Sequence, residues 1–327
     1  MQNLTILSDV HIGAERSAGT TPLTAWQLRQ YLLEEFKALV ENAQGPLLIL
    51  GDLFDTGHVP MADLLTTWNI LAAHCFAGHD LYMVQGNHDL ERTLTKLSSF
   101  QFLCRLLTAE FGARVTEVSA PLALPEHDAY IVGHVANQDL YDAALAAVPA
   151  CQYLLTHANF HNGFAVESDH SLNMSLEQAA ACKAKYIVFA HEHQARVALN
   201  GKVFVCGNQT PSSIADCLGN DIKALTQLNG GPPQRARTWQ ARGNFAMQDW
   251  RALVDDGSKF IRVVGEASAA EAADVVSAIA KFRNKAKALV ITNAVKVEGT
   301  ADGEHIQITL EEVKSFNVLD EIGRAHV

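Results

Sequence analysis

The stretch that decides the fold is LLILGDLFD at positions 47–55, in which four apolar residues run directly into Gly51 and Asp52. An uncharged Leu and Ile run of this length predicts a strand that is buried on both faces. The strand ends at a glycine and a carboxylate, and ligands gather at the carboxyl ends of strands in open α/β sheets. We therefore expect a parallel sheet with a polar site at this end.

Similar apolar runs recur along the chain, and each ends at a polar residue or near a glycine. They cover residues 4–7, 47–50, 81–84, 130–132, 153–155, 186–189 and 203–205. Between several of them, apolar residues recur at helical spacing, from Trp26 to Leu39, from Leu64 to Leu71 and from Leu94 to Leu107. Alternating strands and helices predict an α/β domain in which helices cover a buried sheet.

A cluster of turn-forming residues, Asn229–Pro233, indicates a domain boundary. We place it so that residues 1–230 form the first domain and residues 231–327 a linker and a small second domain. In the second, Ser268 and Glu271 predict a capping box for a helix that continues through Phe282. Its predicted strands are Phe260–Val264, Ala288–Val297 and the alternating Ile306, Ile308 and Leu310, which together give a β-α-β-β unit.

Composition excludes several classes of protein. The 327 residues carry 25 basic and 36 acidic side chains, a net charge of -11, which argues against a broad basic surface that coats nucleic acid. The six cysteines form no CxxC pair, so they predict buried thiols in a reducing compartment rather than a zinc clip or a disulfide framework. No basic leader and no long apolar span are visible, and we expect a cytoplasmic protein without membrane contact.

Five separated segments share one property, which is that a predicted strand ends at a residue able to bind a metal ion. They are Asp9-Val10-His11, Gly51–Asp55, Gly86–Asp89, His157 and His191-Glu192-His193. In an extended segment, residues two positions apart project to the same side, so we expect each D-x-H or H-x-H pair to face one site. Carboxylate and amide oxygens mixed with imidazole nitrogens suit Mn²⁺, Fe²⁺ or Zn²⁺ better than an all-oxygen Mg²⁺ or Ca²⁺ site.

In this order, D-x-H, GDxxD, GNHD, a lone His and HxH resemble the calcineurin-like metallophosphoesterase superfamily, and the resemblance covers residues 4–217. It implies a four-layer α/β/β/α sandwich that hydrolyses phosphoesters with two metal ions. Residues 1–230 would then be the metallophosphoesterase catalytic domain. The predicted β-α-β-β unit resembles a small C-terminal α+β capping domain.

Carried over to this sequence, the resemblance implies a ligand set and a general acid. It puts Asp9, His11, Asp52 and His193 on one metal ion and Asn87, His157, His191 and the shared Asp52 on the other. It makes His88 the acid beside the leaving oxygen, with Asp55 orienting its ring. Asp55 and Asp89 have an alternative interpretation as helix caps, and Asp89 receives no catalytic role. One departure is Ala190, where the family usually has glycine.

Some details resemble one branch, the SbcD-type DNA exonuclease subunits. Thr56 and Asp89 stand where protein phosphatases of the superfamily usually carry Arg and Glu. Gly51–Asp55, the HANF segment 157–160 and the turn 207–212 are similar to those nucleases. This resemblance implies a DNA nuclease that uses a hydroxide activated by two Mn²⁺ ions, with Zn²⁺ and Fe²⁺ as alternatives. It also implies an SbcC-type ATPase as partner, and it leaves a homodimer open.

Five basic residues are candidates for substrate binding: His58, His161, Arg235, Arg237 and Arg242. The two histidines have an alternative interpretation as ordinary surface residues. The arginines belong to the stretch 231–262, which holds six basic and three acidic residues and predicts either a local DNA contact or a solvated face.

Two other functions compete with the nuclease. A hydrolase of small phosphodiesters, such as cyclic nucleotides, would use the same metal ions. A scaffold that has lost its metal ligands is the alternative outside enzymes, but this chain keeps every matched ligand and His88.

Overall fold

The structure is a computed structural model that describes residues 3–15, 22–91, 96–162, 171–193, 195–207, 223–239 and 245–298. The chain divides into two compact units, Met1–Arg242 and Gly243–Val327. The division lies twelve residues beyond the boundary at residue 230 that we expected from the sequence. Asn229–Pro233 instead connects two antiparallel strands of the first unit, so these turn-forming residues mark a hairpin and not a linker.

The described part of the first unit contains five α-helices and fourteen strands. The helices are α1 (Pro22–Asn42), α2 (Met61–Phe76), α3 (Ser99–Phe111), α4 (Gln138–Ala146) and α5 (Leu176–Ala181). The strands are β1 (Leu4–Leu7), β2 (Leu47–Leu50), β3 (Leu81–Val84), β4 (Val115–Val118), β5 (Leu122–Leu124), β6 (Ala129–Val132), β7 (Tyr153–His157), β8 (Asn159–Phe160), β9 (Asn173–Met174), β10 (Tyr186–Ala190), β11 (Arg196–Ala198), β12 (Val203–Val205), β13 (Lys223–Leu228) and β14 (Gln234–Trp239).

Two six-stranded sheets account for most of the strands described in this unit. Their strand orders are β14-β13-β1-β2-β3-β4 and β11-β12-β10-β7-β6-β5. In the first sheet β1 to β4 run parallel, and in the second β12, β10, β7 and β6 run parallel. The strands β13 and β14 of the first sheet and β11 and β5 of the second pair antiparallel. The parallel strands therefore carry their carboxyl ends to one edge of each sheet.

The central strands of both sheets are buried on both faces, which explains their continuous apolar runs. Leu48 of β2 and Leu155 of β7 belong to a core between the sheets. On the other face of the first sheet, Ile49 packs in a core with α1, α2 and α3. On the other face of the second sheet, Leu154 packs with residues of α4 and α5. The predicted four-layer α/β/β/α sandwich is confirmed.

The second unit has its own core around one helix. Its elements are β15 (Phe245–Asp249), β16 (Phe260–Val264), β17 (Glu266–Ala267), α6 (Ala272–Arg283), β18 (Val290–Asn293) and β19 (Lys296–Val297). Strands β15, β16 and β18 form a parallel sheet whose residues Ile261 and Ile291 pack with Ile279 of α6. The predicted capping box is present, because the Ser268 N–H donates to the Glu271 carboxylate at 2.9 Å. The predicted strand at 306–310 lies outside the described residues.

One predicted helix begins later than its apolar spacing suggests. The pattern from Leu94 to Leu107 corresponds to α3, which begins only at Ser99. The Ser98 hydroxyl accepts a hydrogen bond from the Gln101 N–H at 3.2 Å, and the Gln101 side chain accepts one from the Ser98 N–H at 3.2 Å. This capping box ends the loop, and Leu94 lies outside the described residues. Of the helices that the structure describes, none combines the length and the apolar character that a membrane span requires.

The core between the sheets predicts a stability difference between two Leu to Ala substitutions. Leu4 is fully buried there, whereas Leu140 of α4 is 54% exposed. We expect Leu4→Ala to lower the free energy of unfolding by about 2–5 kcal/mol. Leu140→Ala should change it by no more than about 0.5 kcal/mol. Urea unfolding followed by circular dichroism measures both, and equal effects would contradict the assigned core.

Candidate metal centre

The five predicted segments meet at one edge of the sandwich. They follow β1, β2 and β3 of the first sheet, or end β7 and follow β10 of the second. Potential ligand atoms within 4.8 Å of one another form three groups among the described residues: Asp9 with His11 and His193, His11 with Asp52 and His88, and Asp52 with His157 and His191. The remaining predicted ligand is Asn87, whose Oδ1 lies 3.1 Å from His157 Nε2. The fold therefore brings the metal ligands predicted from the sequence together at this edge.

The backbone brings these residues together through turns, not through extended segments. Asp9, His11, Asp52 and His191 have φ angles of 51°, 53°, 50° and 84°. Our expectation that the D-x-H and H-x-H pairs are extended was therefore wrong, although their side chains do converge. Left-handed backbone costs roughly 1–2 kcal/mol for a residue with a Cβ. The carbonyl of Asp52 helps to offset this cost by accepting hydrogen bonds from the N–H groups of Val10 and His11 at 2.9 and 3.1 Å.

Asp52 lies at the middle of the centre and is completely buried. Its Oδ1 accepts a hydrogen bond from the His88 N–H at 3.0 Å. Its Oδ2 lies 3.3 Å from His157 Nε2 and 4.0 Å from His11 Nε2. Within the part of the chain that the structure describes, Oδ2 accepts no hydrogen bond. A buried carboxylate oxygen of this kind needs a positive charge beside it.

The donor atoms around Asp52 fit a metal ion. His157 Nδ1 donates to the carbonyl of Leu50 at 3.0 Å, so in a neutral ring the lone pair would lie on Nε2, which faces Asp52 Oδ2 and Asn87 Oδ1. His11 places Nε2 3.2 Å from the Nε2 of His193. Two ring nitrogens at this distance are joined either by a proton on one of them or by a cation that both bind. The mixed nitrogen and oxygen set suits Mn²⁺, Fe²⁺ or Zn²⁺.

The pKa values in the centre show the same attraction for positive charge. Burial alone would lower the pKa of His11 and His157, but the Asp55 hydrogen bond raises the pKa of His11 to about 9, and the charge of Asp52 raises that of His157 to about 9. Burial would also raise the pKa of Asp52, yet the charges of His157 and His11 hold it well below its usual range. Burial and the charge of His157 lower the pKa of His191 to about 4. In the absence of a metal ion, protons supply the positive charge that the carboxylates require.

His88 is fixed beside these ligands by a main-chain contact. Its Nδ1 donates to the carbonyl of Asp55 at 2.8 Å, and its ring meets the ring of His11 edge-on with centroids 4.9 Å apart. We expected the Asp55 carboxylate to orient His88, but that carboxylate lies 3.4 Å from His11 Nδ1. The orienting contact in the structure is the carbonyl. The helix-cap interpretation of Asp55 is wrong, because the residue before α2 is Pro60.

Asp89 joins two of the loops, a role that sequence reasoning missed. Its buried carboxylate accepts hydrogen bonds from the N–H groups of Phe54 and Gly86, each at 2.9 Å. Phe54 lies two residues after Asp52, and Gly86 directly precedes Asn87. Asp89 therefore holds together the segments that carry the predicted ligands Asp52 and Asn87. Burial and the charge of Asp52 raise the pKa of Asp89 to about 7. The helix-cap interpretation of Asp89 is replaced by this link between loops.

The turn after β10 is anchored to both sheets. The His191 N–H donates to the two carboxylate oxygens of Asp9 at 3.0 and 3.2 Å. Ser171 Oγ lies 3.1 Å from His191 Nε2, a neighbour that no sequence motif indicated. Ala190, which replaces the usual glycine, is fully buried in the core between the sheets and pairs in register with His157. Its methyl group is therefore accommodated within the sheet.

The candidate substrate residues are less closely tied to the centre. His58 and His161 are exposed, and neither belongs to the three ligand groups. The His58 ring contacts the Glu91 carboxylate, and the His161 N–H donates to the carbonyl of Met174 at 2.8 Å. Arg235 and Arg237 lie on β14, but their side chains are outside the described part of the chain. Arg242 lies outside the described residues, as do residues 208–212 of the predicted turn.

The family model described as calcineurin-like phosphoesterase matches residues 3–195, which contain all five segments. The chain belongs to this family. Its members use a dinuclear metal centre, and the candidate His and Asp ligand groups of this phosphoesterase occupy the expected strand ends. The protein is therefore a metal-dependent phosphoester hydrolase.

The chain is similar to two solved structures of enzymes. A phosphopantetheinyl hydrolase from Mycobacterium tuberculosis is 14% identical, with 70% of this chain and 96% of that chain covered and a TM-score of 0.41. A cold-active protein-tyrosine phosphatase of a Shewanella species is 14% identical, with 70% and 76% covered and a TM-score of 0.34. A search of curated proteins found no match.

Close packing at Gly51 predicts that alanine is not tolerated there. Gly51 has φ 84°, and a Cβ would lie 2.2 Å from His157 Nδ1, whereas Gly45 has φ 79° and its Cβ would meet no atom closer than 4.0 Å. Both Gly→Ala variants incur the left-handed backbone cost of roughly 1–2 kcal/mol. We expect Gly51→Ala to lose about 1–3 kcal/mol more than Gly45→Ala, because the His157 ring is displaced. Urea unfolding measures the difference, and equal losses would contradict the close approach.

Asp52 belongs to two of the three ligand groups, so its substitution should affect metal binding at both. We expect the wild-type protein to retain two Mn²⁺ ions per chain after dialysis, measured by inductively coupled plasma mass spectrometry. Asp52→Asn removes the shared charge and should retain less than one. Asp139→Asn, at an exposed position of α4, is the control and should match the wild type. Two retained ions in Asp52→Asn would contradict the shared role.

Proposed function

We propose that the protein is a metal-dependent DNA nuclease of the SbcD-like exonuclease type. The observation that carries the hydrolytic part is the position of His88, which the Asp55 carbonyl holds within one ligand group together with His11 and Asp52. The assignment to DNA is supported by the sequence resemblance at residues 51–55 and 157–160. The same resemblance supports an SbcC-type ATPase as a partner.

The residues have distinct roles in this proposal. Two divalent ions, with Mn²⁺ favoured, would be held by Asp9, His11, Asp52, Asn87, His157, His191 and His193. When bound, such ions lower the pKa of water and neutralise the charge of a phosphodiester. Asp52 supplies the shared negative charge that draws both ions to one place. Asp89 keeps the loops of Asp52 and Asn87 together.

His88 has the role of general acid. Because its Nδ1 donates to the Asp55 carbonyl, the ring orientation is fixed and Nε2 is the nitrogen available to the substrate. A protonated Nε2 gives its proton to the departing sugar oxygen as the phosphorus–oxygen bond breaks. The phosphodiester is thereby converted to an alcohol and a phosphomonoester, with water supplying the new oxygen.

The charge distribution restricts where DNA can bind. The whole chain has a net charge of -11, which disfavours the approach of a long polyanion. Residues 245–298 of the second unit carry eight basic and seven acidic residues, so this part does not share the acidic excess. This distribution supports a local DNA contact in the second unit. A small phosphodiester is the alternative substrate, and the test below compares it with DNA.

The proposal predicts that His88→Ala loses exonuclease activity while metal binding persists. End-labelled duplex and single-stranded DNA are incubated with Mn²⁺, and the products are resolved to single nucleotides. We expect a ladder from one end with the wild type and a rate about 10²–10⁴-fold lower with His88→Ala. His79→Ala, a histidine outside the three ligand groups, is the control and should keep the wild-type rate.

A chromogenic phosphodiester tested in parallel separates the alternatives. If DNA stays intact while the small diester is cleaved rapidly, the protein is a small-substrate phosphodiesterase and not a nuclease. If the DNA is cut internally and no ladder forms, the protein is an endonuclease and not an exonuclease. Cleavage of neither substrate by a protein that binds Mn²⁺ would contradict both.

A further inference from the structure

Glu192 is the middle residue of the His191-Glu192-His193 segment, and its carboxylate is occupied by two contacts. Oε1 accepts a hydrogen bond from the Phe160 N–H at 2.5 Å, and Oε2 forms an ion pair with Nη1 of Arg196. The side chain of Glu192 is only 13% exposed. Glutamate is itself a competent metal ligand, yet in this position both of its oxygens are used by protein groups.

Arg196 completes a contact with the same residue of β8. Its Nη2 donates to the carbonyl of Phe160 at 3.0 Å, and its guanidinium lies over the Phe160 ring at 5.9 Å from the centroid. The two polar groups of the Phe160 backbone are thus bound by one Glu–Arg ion pair. The planar guanidinium makes this possible, because it can donate in two directions from a fixed fork.

Phe160 connects this ion pair to the other side of the metal centre. It lies three residues after His157, and its ring packs against Phe189 with centroids 5.4 Å apart. Phe189 lies on β10, two residues before His191. The turn that carries His191 and His193 is therefore held at two places against the segment that follows His157.

We propose that Glu192 and Arg196 are a positioning pair for the metal centre. They hold the turn of His191 and His193 at the distance from His157 that metal binding requires. This inference rests on the metal-binding part of the proposed function. His193 belongs to the group with Asp9, and His191 to the group with His157, so both groups depend on this turn. Contacts that orient metal ligands typically contribute 10–100-fold to metal affinity.

The test measures Mn²⁺ affinity by isothermal titration calorimetry, at a temperature where circular dichroism shows every variant folded. We expect Glu192→Ala and Arg196→Ala each to weaken Mn²⁺ binding about 10–100-fold at both sites. The double variant should bind Mn²⁺ as tightly as whichever single variant binds it less tightly, because either substitution breaks the same contact. Glu192→Gln keeps an acceptor for the Phe160 N–H, and it should restore part of the affinity.

A matched control comes from the second unit. Arg251 also pairs with a glutamate, Glu271 at 3.2 Å, and also donates to a backbone carbonyl, that of Glu266 at 2.9 Å. Arg251→Ala should leave Mn²⁺ affinity unchanged. A purely structural role for the pair would lower the melting temperature of the metal-free variants and leave their Mn²⁺ affinity at the wild-type value, and this result would overturn the proposal.

The outcome does not depend on the substrate. Intact DNA in the nuclease assay would remove the nuclease proposal, while a loss of Mn²⁺ affinity in Glu192→Ala and Arg196→Ala would still support the positioning pair. Conversely, a DNA ladder with unchanged Mn²⁺ affinity in both variants would overturn the positioning pair alone.

Discussion

The structure of the centre depends on the buried charge of Asp52. A carboxylate removed from water is costly unless positive charge and hydrogen-bond donors surround it. Asp52 Oδ1 accepts a hydrogen bond from the His88 N–H. The Nε2 atoms of His157 and His11 lie 3.3 and 4.0 Å from Asp52 Oδ2. These partners come from three other segments of the chain, after β1, after β3 and at the end of β7. Satisfying one carboxylate therefore requires that two sheets present their strand ends to the same place.

The two glycines of the GDxxD and GNHD segments make this approach sterically possible. A Cβ on Gly51 would lie 2.2 Å from His157 Nδ1, and a Cβ on Gly86 would lie 2.1 Å from Asp52 Oδ1. Gly51 thus gives space to the ligand from the second sheet, and Gly86 gives space to Asp52 itself. The glycines in these motifs are required by close packing around the ligands, in addition to any freedom of the backbone.

The sequence predicted the strands and the ligands better than it predicted their support. Runs such as Leu47–Leu50 are readable because burial on both faces leaves no polar residue in the strand. The ligands are readable because they directly follow these runs. Asp89 and Glu192 were missed because they bind backbone N–H groups of residues that are 35 and 32 positions away. A main-chain donor has no side-chain identity, so no sequence pattern marks such a contact. The same reason applies to Asp55, whose carbonyl and not its carboxylate orients His88.

The ligand set by itself does not select a substrate. In the mechanism proposed above, two cations and a proton from His88 would serve any phosphoester, so the choice among phosphoesters would depend on residues outside the three ligand groups. Long-range attraction does not make this choice for DNA, because a chain with a net charge of -11 disfavours the approach of a polyanion. Discrimination in favour of DNA therefore requires a contact where the acidic excess is absent, and residues 245–298, with eight basic and seven acidic side chains, are such a region. In the proposed mechanism the first unit would determine the chemistry, and surfaces that carry no metal ligand would select the substrate.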